Sequence, residues 1–411
     1  MIKRLFISLF VLSTSAQALE PLSPPGLLPT EIARPLLEQD PSVAAARAGL
    51  NVALEEAGIL DKSPYEWVAR ATGQQRKVRN DNNYNEWSLG IEHGIRLPSK
   101  ATIDRNLGKL TIEESQAAYG EALHEAAREL MTLWLDWLVA ENAHQLVENN
   151  LQSVRENLTS VEKRVRAGDA SKLDVNIAQA ELAEQKRLAN DAKTLASVYW
   201  SRLSTRYPGI KREMILLPKA ALIVEDTTRW KDRIMSESDE LKVVQAKMRI
   251  AQLNADRARA NEAPDPTLGL HTASEVGGRE RISGITFSIP IPGGLRNSRT
   301  AKANSEVEVF REEVEITRRE LESAIASAFV NAQGAYESVQ IAEEGTATMQ
   351  ENASLMQRAY SLGEAELQAL LMSRRQATAA MNNLLQAQAT ALKAYYGLLV
   401  DAHLIWDLAH D

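Results

Sequence analysis

A stripe of apolar residues with helical spacing runs through residues 101–167, a stretch that contains no proline. The apolar positions recur at alternating intervals of four and three residues, which is the seam of a coiled coil. The stripe consists of Leu123, Ala127, Leu130, Trp134 and Trp137 and, after a short phase slip, of Val147, Leu151, Val154, Leu158, Val161 and Val165. A continuous helix of this length would measure on the order of 100 Å. No globular domain needs such a helix, so the pattern predicts an element that spans a distance.

Before this helix the hydrophobic period changes from helical to two. Large, mostly apolar residues alternate with small or polar ones, which predicts a two-faced strand; the large ones are Trp87, Leu89, Ile91, His93, Ile95 and Leu97. With a weaker strand before it, the segment predicts a β-hairpin over residues 65–97. Strands of about ten residues with one apolar face and aromatic ends are typical of membrane β-barrels. A half-buried soluble sheet has the same pattern, so the strands alone leave both interpretations open.

Prolines and glycines divide the remaining chain. Pro98 ends the first hairpin because proline lacks an amide donor. Residues 168–171, with the sequence Gly-Asp-Ala-Ser, supply a glycine that ends one helix and cap residues that begin the next. They predict a tight antiparallel reversal into a return helix at residues 172–206. A proline-rich arm at 19–39 is expected to be extended, and residues 207–238 are expected to form an irregular lateral linker.

The second half of the chain repeats the first. Residues 40–206 form the first repeat and residues 239–400 the second, which has a hairpin at 266–291, a long helix at 299–362 and a return helix at 367–400. Pro290 and Pro292 end the second hairpin as Pro98 ends the first. At an offset of 195 the matching pairs are Glu125 and Glu320, Trp134 and Phe329, Gln145 and Gln340, Asn157 and Asn352, Gly168 and Gly363, Ala170 and Ala365, and Leu203 and Leu398. The order of helix, hairpin, long helix and return helix therefore occurs twice, followed by a tail at 401–411.

Composition narrows the class of protein. Residues 1–18 combine Lys3 and Arg4, an apolar core and a small-x-small site, which predicts a secretory signal peptide. The chain has no cysteine, which excludes disulfides, thiolate metal sites and a lipid anchor on cysteine. Its formal net charge of −8 makes nucleic acid an unfavourable partner. The sequence thus predicts an exported protein without covalent cross-links.

Four strands cannot close a membrane barrel, because about eight are needed and open edges are not tolerated in lipid. Association of three copies would give twelve strands and surround an axis with helices. The predicted fold class is therefore mainly α with a small β part: a trimer forming a 12-stranded outer-membrane β-barrel that continues into an α-helical barrel.

The duplicated order, the proline after each hairpin and the paired reversals resemble the TolC-like outer-membrane efflux proteins over about residues 40–400. Around residues 283–319 and in its short length the chain is most similar to the heavy-metal branch related to CzcC. The resemblance implies a homotrimeric channel-tunnel in the outer membrane of a Gram-negative bacterium, with a periplasmic helical portion. It also implies a passive exit duct that works with a periplasmic adaptor protein and an inner-membrane pump of the RND type, and that contacts outer-membrane lipid.

The reversals at Gly168 and Gly363 fall on the tip motifs of this family, and they are the main candidate site. In a ring of helices, one carboxylate per chain becomes a ring of like charges that can select and gate cations; the candidates are Asp169, Asp174, Glu364 and Glu366. Acids in a first helical turn also simply complement the helix dipole, and this alternative stays open for each. Many relatives carry acids six and nine positions after the second glycine, where this chain has Ala369 and Met372.

No other group of residues in the sequence indicates a catalytic or metal-binding site. The six histidines show no ligand spacing, and no nucleophile, base and orienting group stand in a recognisable arrangement. We therefore expect no catalytic residue, no cofactor and no metal ligand. The alternatives to an efflux duct are a periplasmic coiled-coil adaptor or scaffold, the outer-membrane component of a type I secretion system and, least favoured, a periplasmic hydrolase.

Overall fold

The computed structural model describes residues 24–408. Its elements are α1 Thr30–Glu38, α2 Pro41–Asp61, β1 Trp67–Lys77, β2 Asn83–Gly94, α3 Pro98–Ala167, α4 Lys172–Arg206, α5 Thr227–Glu237, α6 Asp239–Ala260, β3 Thr267–Glu275, β4 Glu280–Ser288, α7 Gly294–Ser361 and α8 Leu367–Asp401. The predicted fold class, mainly helical with a small sheet, is confirmed. The signal peptide at 1–18 and the first five residues of the arm lie outside the described residues. Within 24–408, no helix is both long enough and apolar enough to cross a membrane.

The two long helices are α3, with 70 residues, and α7, with 68. The predicted stripe of α3 is buried in its middle, where Leu123, Leu130 and Trp137 have no exposed surface. Two shorter helices, α2 and α4, cover successive parts of α3, and α6 and α8 cover α7 in the same way. The backbones of α2 and α3 approach closely at Gly108, where an added Cβ would lie 2.9 Å from the Cα of Ala57. Each repeat therefore places two short helices along one long helix.

The two hairpins form one antiparallel sheet in the order β1-β2-β3-β4. The central pairing joins β2 of the first repeat to β3 of the second, with Ile91 opposite Leu270. Leu270 in turn lies opposite Ile285 of β4. The sheet thus ties the two repeats together at one end of the helices.

An aromatic core lies halfway along the helices. The ring centroids of Trp134 and Trp137 are 5.0 Å apart, and Trp200 of α4 lies 5.0 Å from Trp137. The indole of Trp134 donates a hydrogen bond to the carbonyl of Gly26 at 2.8 Å, and Trp406 donates to Leu28 at 2.8 Å. The segments that contain Gly26, Leu28 and Trp406 are therefore held at the middle of the long helices.

Two expectations about the connecting segments were wrong. The arm is not extended throughout, because residues 30–38 form α1. Pro35 removes one backbone donor from this helix, but Ala33 and Leu37 become completely buried in the aromatic core. The lateral linker likewise contains a helix, α5, whose Trp230 is buried against the same core. In both segments tertiary burial outweighs weak local propensity.

The second strand-to-helix boundary also differs from the expectation. The strand ends at Ser288 rather than Ile291, because Pro290 cannot donate to a ladder. The helix after it begins at Gly294, five residues before the expected start. Pro290 and Pro292 lie in the short connection between them. The first junction is tighter, since Pro98 is itself the first residue of α3.

Candidate functional site: the sheet and the helical tips

One face of the sheet is apolar and exposed across all four strands. Aligned rows of side chains cross the sheet, and they are Trp67, His93, Leu268 and Phe287 in one row and Ala69, Ile91, Leu270 and Ile285 in the next. The exposed fraction is 60% for Leu270 and 77% for Ile285. A continuous exposed apolar face of this kind is a surface for lipid or for a partner protein.

The opposite face of the sheet is polar. Arg70 of β1 forms an ion pair with Glu92 of β2 at 2.5 Å. Farther along the same strands, Gln74 donates to Glu86 at 2.9 Å, and Arg76 lies 2.9 Å from the same carboxylate. The sheet therefore has one apolar face and one polar, ion-paired face.

A buried ion pair fixes the junction between strands and helices. The ammonium group of Lys100, in the first turn of α3, lies 3.0 Å from a carboxylate oxygen of Asp265, just before β3. The amide of Leu97, which precedes Pro98, donates to Asp265 at 3.0 Å, and the hydroxyl of Tyr65 donates to it at 2.7 Å. Burial alone would raise the pKa of Asp265, but these hydrogen bonds outweigh it and hold that pKa below its ordinary value. Asp265 thus links both repeats at the base of the sheet.

Both helical tips end in the same backbone motif. Gly168 and Gly363 adopt left-handed conformations, with φ of 88° and 81°. The amide of Asp169 donates to the carbonyl of Arg164 at 2.8 Å, and the amide of Glu364 donates to that of Ala359 at 2.9 Å. These six-residue closures are Schellman motifs, which favour glycine because it has no Cβ. Hydrogen bonds therefore fix the backbone of each tip, which sets the positions from which its side chains project.

The four candidate acids of the tips fall into two groups. Asp169, Glu364 and Glu366 are exposed. Asp174, in contrast, takes part in a capping box: its carboxylate accepts from the amide of Ser171 at 2.8 Å, while its own amide donates to the Ser171 hydroxyl at 3.2 Å. Asp174 therefore has a structural task at the start of α4, whereas the three exposed acids are available to a partner.

We expect Ser171→Ala to loosen the first turn of α4 by about 1 kcal/mol, because the Asp174 amide loses its hydrogen bond to the Ser171 hydroxyl. Hydrogen exchange of the first α4 amides measures this directly and should become about five times faster. Ser160→Ala on the exposed shaft of α3 is the matched control and should leave those amides unchanged. Equal protection in Ser171→Ala and the wild type would contradict the role of the cap.

The two tips pack against each other and enclose a cleft of about 730 Å³. The guanidinium of Arg164 lies 4.9 Å from the ring centroid of Tyr360, which joins the end of α3 to the end of α7. Arg374 of α8 donates to Gln357 at 2.6 Å, while its buried Nη1 has no hydrogen-bond partner among residues 24–408. Burial lowers the pKa of this guanidinium. The cleft therefore carries cationic groups beside the exposed acids.

Arg164 and Arg374 were not among the residues chosen from the sequence. Arg164 lies four residues before Gly168, which marks it as a last-turn cation of α3 but does not reveal its partner. Its contact with Tyr360 joins residues of different repeats, so no local signal could have found it. Ala369 and Met372, at the positions where the family resemblance implies acids, are exposed on α8, and Met372 is 62% exposed. In this chain the tip acids therefore lie in the turns rather than along α8.

The comparisons with known proteins agree with this architecture. A family model described as outer membrane efflux protein matches residues 33–205 and 230–399. No curated protein sequence matches the chain. Among solved structures, CusC superposes with a TM-score of 0.73 at 15% identity, covering 90% of this chain and 92% of that one. The outer membrane channel CmeC of Campylobacter jejuni gives 0.71 at 14% identity, covering 93% and 86%, and VceC of Vibrio cholerae gives 0.72 at 15%, covering 90% and 95%. At these identities the superpositions show a shared fold.

Proposed function

The chain belongs to the outer membrane efflux protein family, and from this premise we propose that it is the passive exit duct of a tripartite pump for heavy-metal cations or small toxic compounds. Family membership makes it a transport protein of the outer membrane. We further propose that the protein is a homotrimer and that a periplasmic adaptor docks on its helical tips. An RND-type inner-membrane pump would supply the energy. The cargo follows from the resemblance to the heavy-metal branch related to CzcC.

The observation that carries the proposal is the four-stranded sheet with an apolar face on one side and ion pairs on the other. Its outer strands, β1 and β4, each pair on one side only within residues 24–408. An open strand edge is costly in lipid, so further copies must supply the missing neighbours. Three copies close a ring of twelve strands with lipid outside and a polar lumen inside. From this ring of strands, α3 and α7 extend for about 100 Å, and they would line the continuation of the lumen as far as the helical tips.

Cell fractionation tests the proposal. The protein should be found in the outer-membrane fraction as SDS-resistant trimers that convert to monomers on heating. A soluble periplasmic monomer would contradict it. Susceptibility of a deletion strain to divalent metals, copper, silver and organic drugs then identifies the cargo: sensitivity restricted to metals supports the heavy-metal assignment, and sensitivity restricted to organic compounds contradicts it.

A further inference from the structure

Three potential metal ligands lie together halfway along α3. His124 and Glu125 follow Glu121 by three and four residues, so each lies about one helical turn from Glu121. A donor atom from each lies within 4.8 Å of the other two. We call these three residues the equatorial cluster. Carboxylate and imidazole groups are the ligand types that divalent transition metals accept in proteins.

The imidazole of the equatorial cluster is held in place by a second carboxylate. Nε2 of His124 lies 3.3 Å from a carboxylate oxygen of Asp401 at the end of α8. The same oxygen accepts from Nε of Arg128 at 2.7 Å. Metal-binding histidines usually donate one ring nitrogen to such a carboxylate, which fixes the ring and leaves the other nitrogen for the cation. Asp401 is therefore placed where such a carboxylate would hold the His124 ring.

A second histidine lies beside the first. The ring centroids of His124 and His403 are 5.5 Å apart. His403 has a positive φ of 52°, an uncommon conformation for a residue other than glycine, and it places this ring against α3 after the end of α8. Backbone strain of this kind persists where the surrounding structure enforces it. The two histidines are far apart in the sequence, so their contact is a product of the fold.

The space next to these residues is a cavity of about 210 Å³. Its lining includes the equatorial cluster and His403 together with Glu240 of α6 and Glu320 of α7. Arg128 also lines it, but its guanidinium is engaged by Asp401. The carboxylates of three helices therefore surround the cavity without a matching number of cations, and a bound divalent cation would relieve their repulsion.

We propose that Glu121, His124 and Glu125 bind one divalent first-row transition-metal cation. The cation would offset the carboxylates around the cavity and stabilise the middle of the long helices. The site does not depend on the transported substrate, because it rests only on contacts within one chain. Zn²⁺ is the appropriate probe because it accepts both imidazole and carboxylate ligands.

Calorimetry with ZnCl₂ on the full-length, detergent-solubilised protein without a histidine tag tests the site. We expect about one Zn²⁺ per chain and a rise in the thermal unfolding midpoint. His124→Gln and Glu121→Gln should each raise the Kd by at least about tenfold and remove the thermal shift. His144→Gln is the matched control, since it removes a histidine from the same helix about 30 Å away.

Several results would overturn the proposal. They are no Zn²⁺ binding by the wild type, unchanged binding by His124→Gln, or Mg²⁺ binding as tight as that of Zn²⁺. If either variant fails to assemble, Glu125→Gln decides, because Glu125 is exposed and its amide should not disturb folding. Co²⁺ titration of the wild type by calorimetry gives an independent measurement: Co²⁺ binding that Zn²⁺ displaces supports the site, and Co²⁺ binding that Zn²⁺ does not displace contradicts it.

Discussion

We expect a variant in which every protomer carries both Asp169→Lys and Glu364→Lys to lose efflux-dependent resistance while its trimer stays assembled. The two substitutions reverse the charge at both helical tips. The trimer should persist because both residues are exposed and contribute to their turns through backbone amides, which the substitutions keep. Resistance should be lost because a trimer presents six reversed charges at one end of the duct. Like charges brought together at a docking surface cost several kcal/mol, enough to prevent association.

Two controls make this measurement specific. Asp191→Lys places the same reversal on the exposed shaft of α4, on the order of 30 Å from the tip, and should keep full resistance. Asp169→Asn with Glu364→Gln removes charge without reversing it and should give an intermediate loss. Minimum inhibitory concentrations for the cargo identified by susceptibility profiling provide the readout, with SDS-resistant trimers measured in parallel. Full resistance in the double-reversal variant would mean that Asp169 and Glu364 have a structural role in their turns and no role in docking.

Asp265→Asn is expected to destabilise the protein by about 3–5 kcal/mol, because it leaves the charge of Lys100 buried without a partner. The side chains of Lys100 and Asp265 are only 2% and 8% exposed, so water compensates poorly for the lost carboxylate. The thermal midpoint of trimer dissociation or a urea unfolding curve measures the effect. The loss should exceed that of any single exposed ion pair.

The matched control is Asp191→Asn, which breaks an ion pair with Arg187 in which both side chains are more than half exposed. Such pairs contribute about 0–1 kcal/mol. Lys100→Met combined with Asp265→Leu should recover much of the stability, because it removes both buried charges together. An effect of Asp265→Asn no larger than that of Asp191→Asn would show that the junction does not depend on this pair.

The same pair gives a pH dependence with a definite sign. The pKa of Asp265 is lowered in the folded protein, so its stabilising contribution is fully present above the ordinary value of about 4. The contribution is lost as the pH falls through the lower, folded-state pKa. The difference in unfolding free energy between the wild type and Asp265→Asn should therefore be constant near neutral pH and shrink below about pH 4.

The tip turns could be predicted from the sequence, but their environment could not. Gly168 and Gly363 are local signals, because a left-handed residue at a helix end favours glycine whatever surrounds it. The capping box of Ser171 and Asp174 is also local, since its members are three residues apart. The contact of Arg164 with Tyr360 and the buried position of Arg374 depend on how α3, α7 and α8 pack. No spacing within one helix contains that information.

The connecting segments show the same division. Prolines in the arm favour extended structure, yet α1 forms because Ala33 and Leu37 are buried in a core built mainly from other parts of the chain. The spacing of the equatorial cluster could have been read from the sequence, but His403 and Asp401 approach it only because α8 ends beside α3. These are long-range effects, in which burial and side-chain pairing override weak local preference.

The sequence by itself determined the repeated order of elements, the long helices, the two-faced strands and the glycine turns, because each follows from periodicity or backbone chemistry within a short stretch. The tertiary structure alone decided which carboxylates are exposed, which serve as caps or buried ion pairs, and which histidines meet. Those properties depend on distances between residues that are remote in the chain. The packing of the helices against one another sets these distances, and the hydrophobic pattern along the sequence does not.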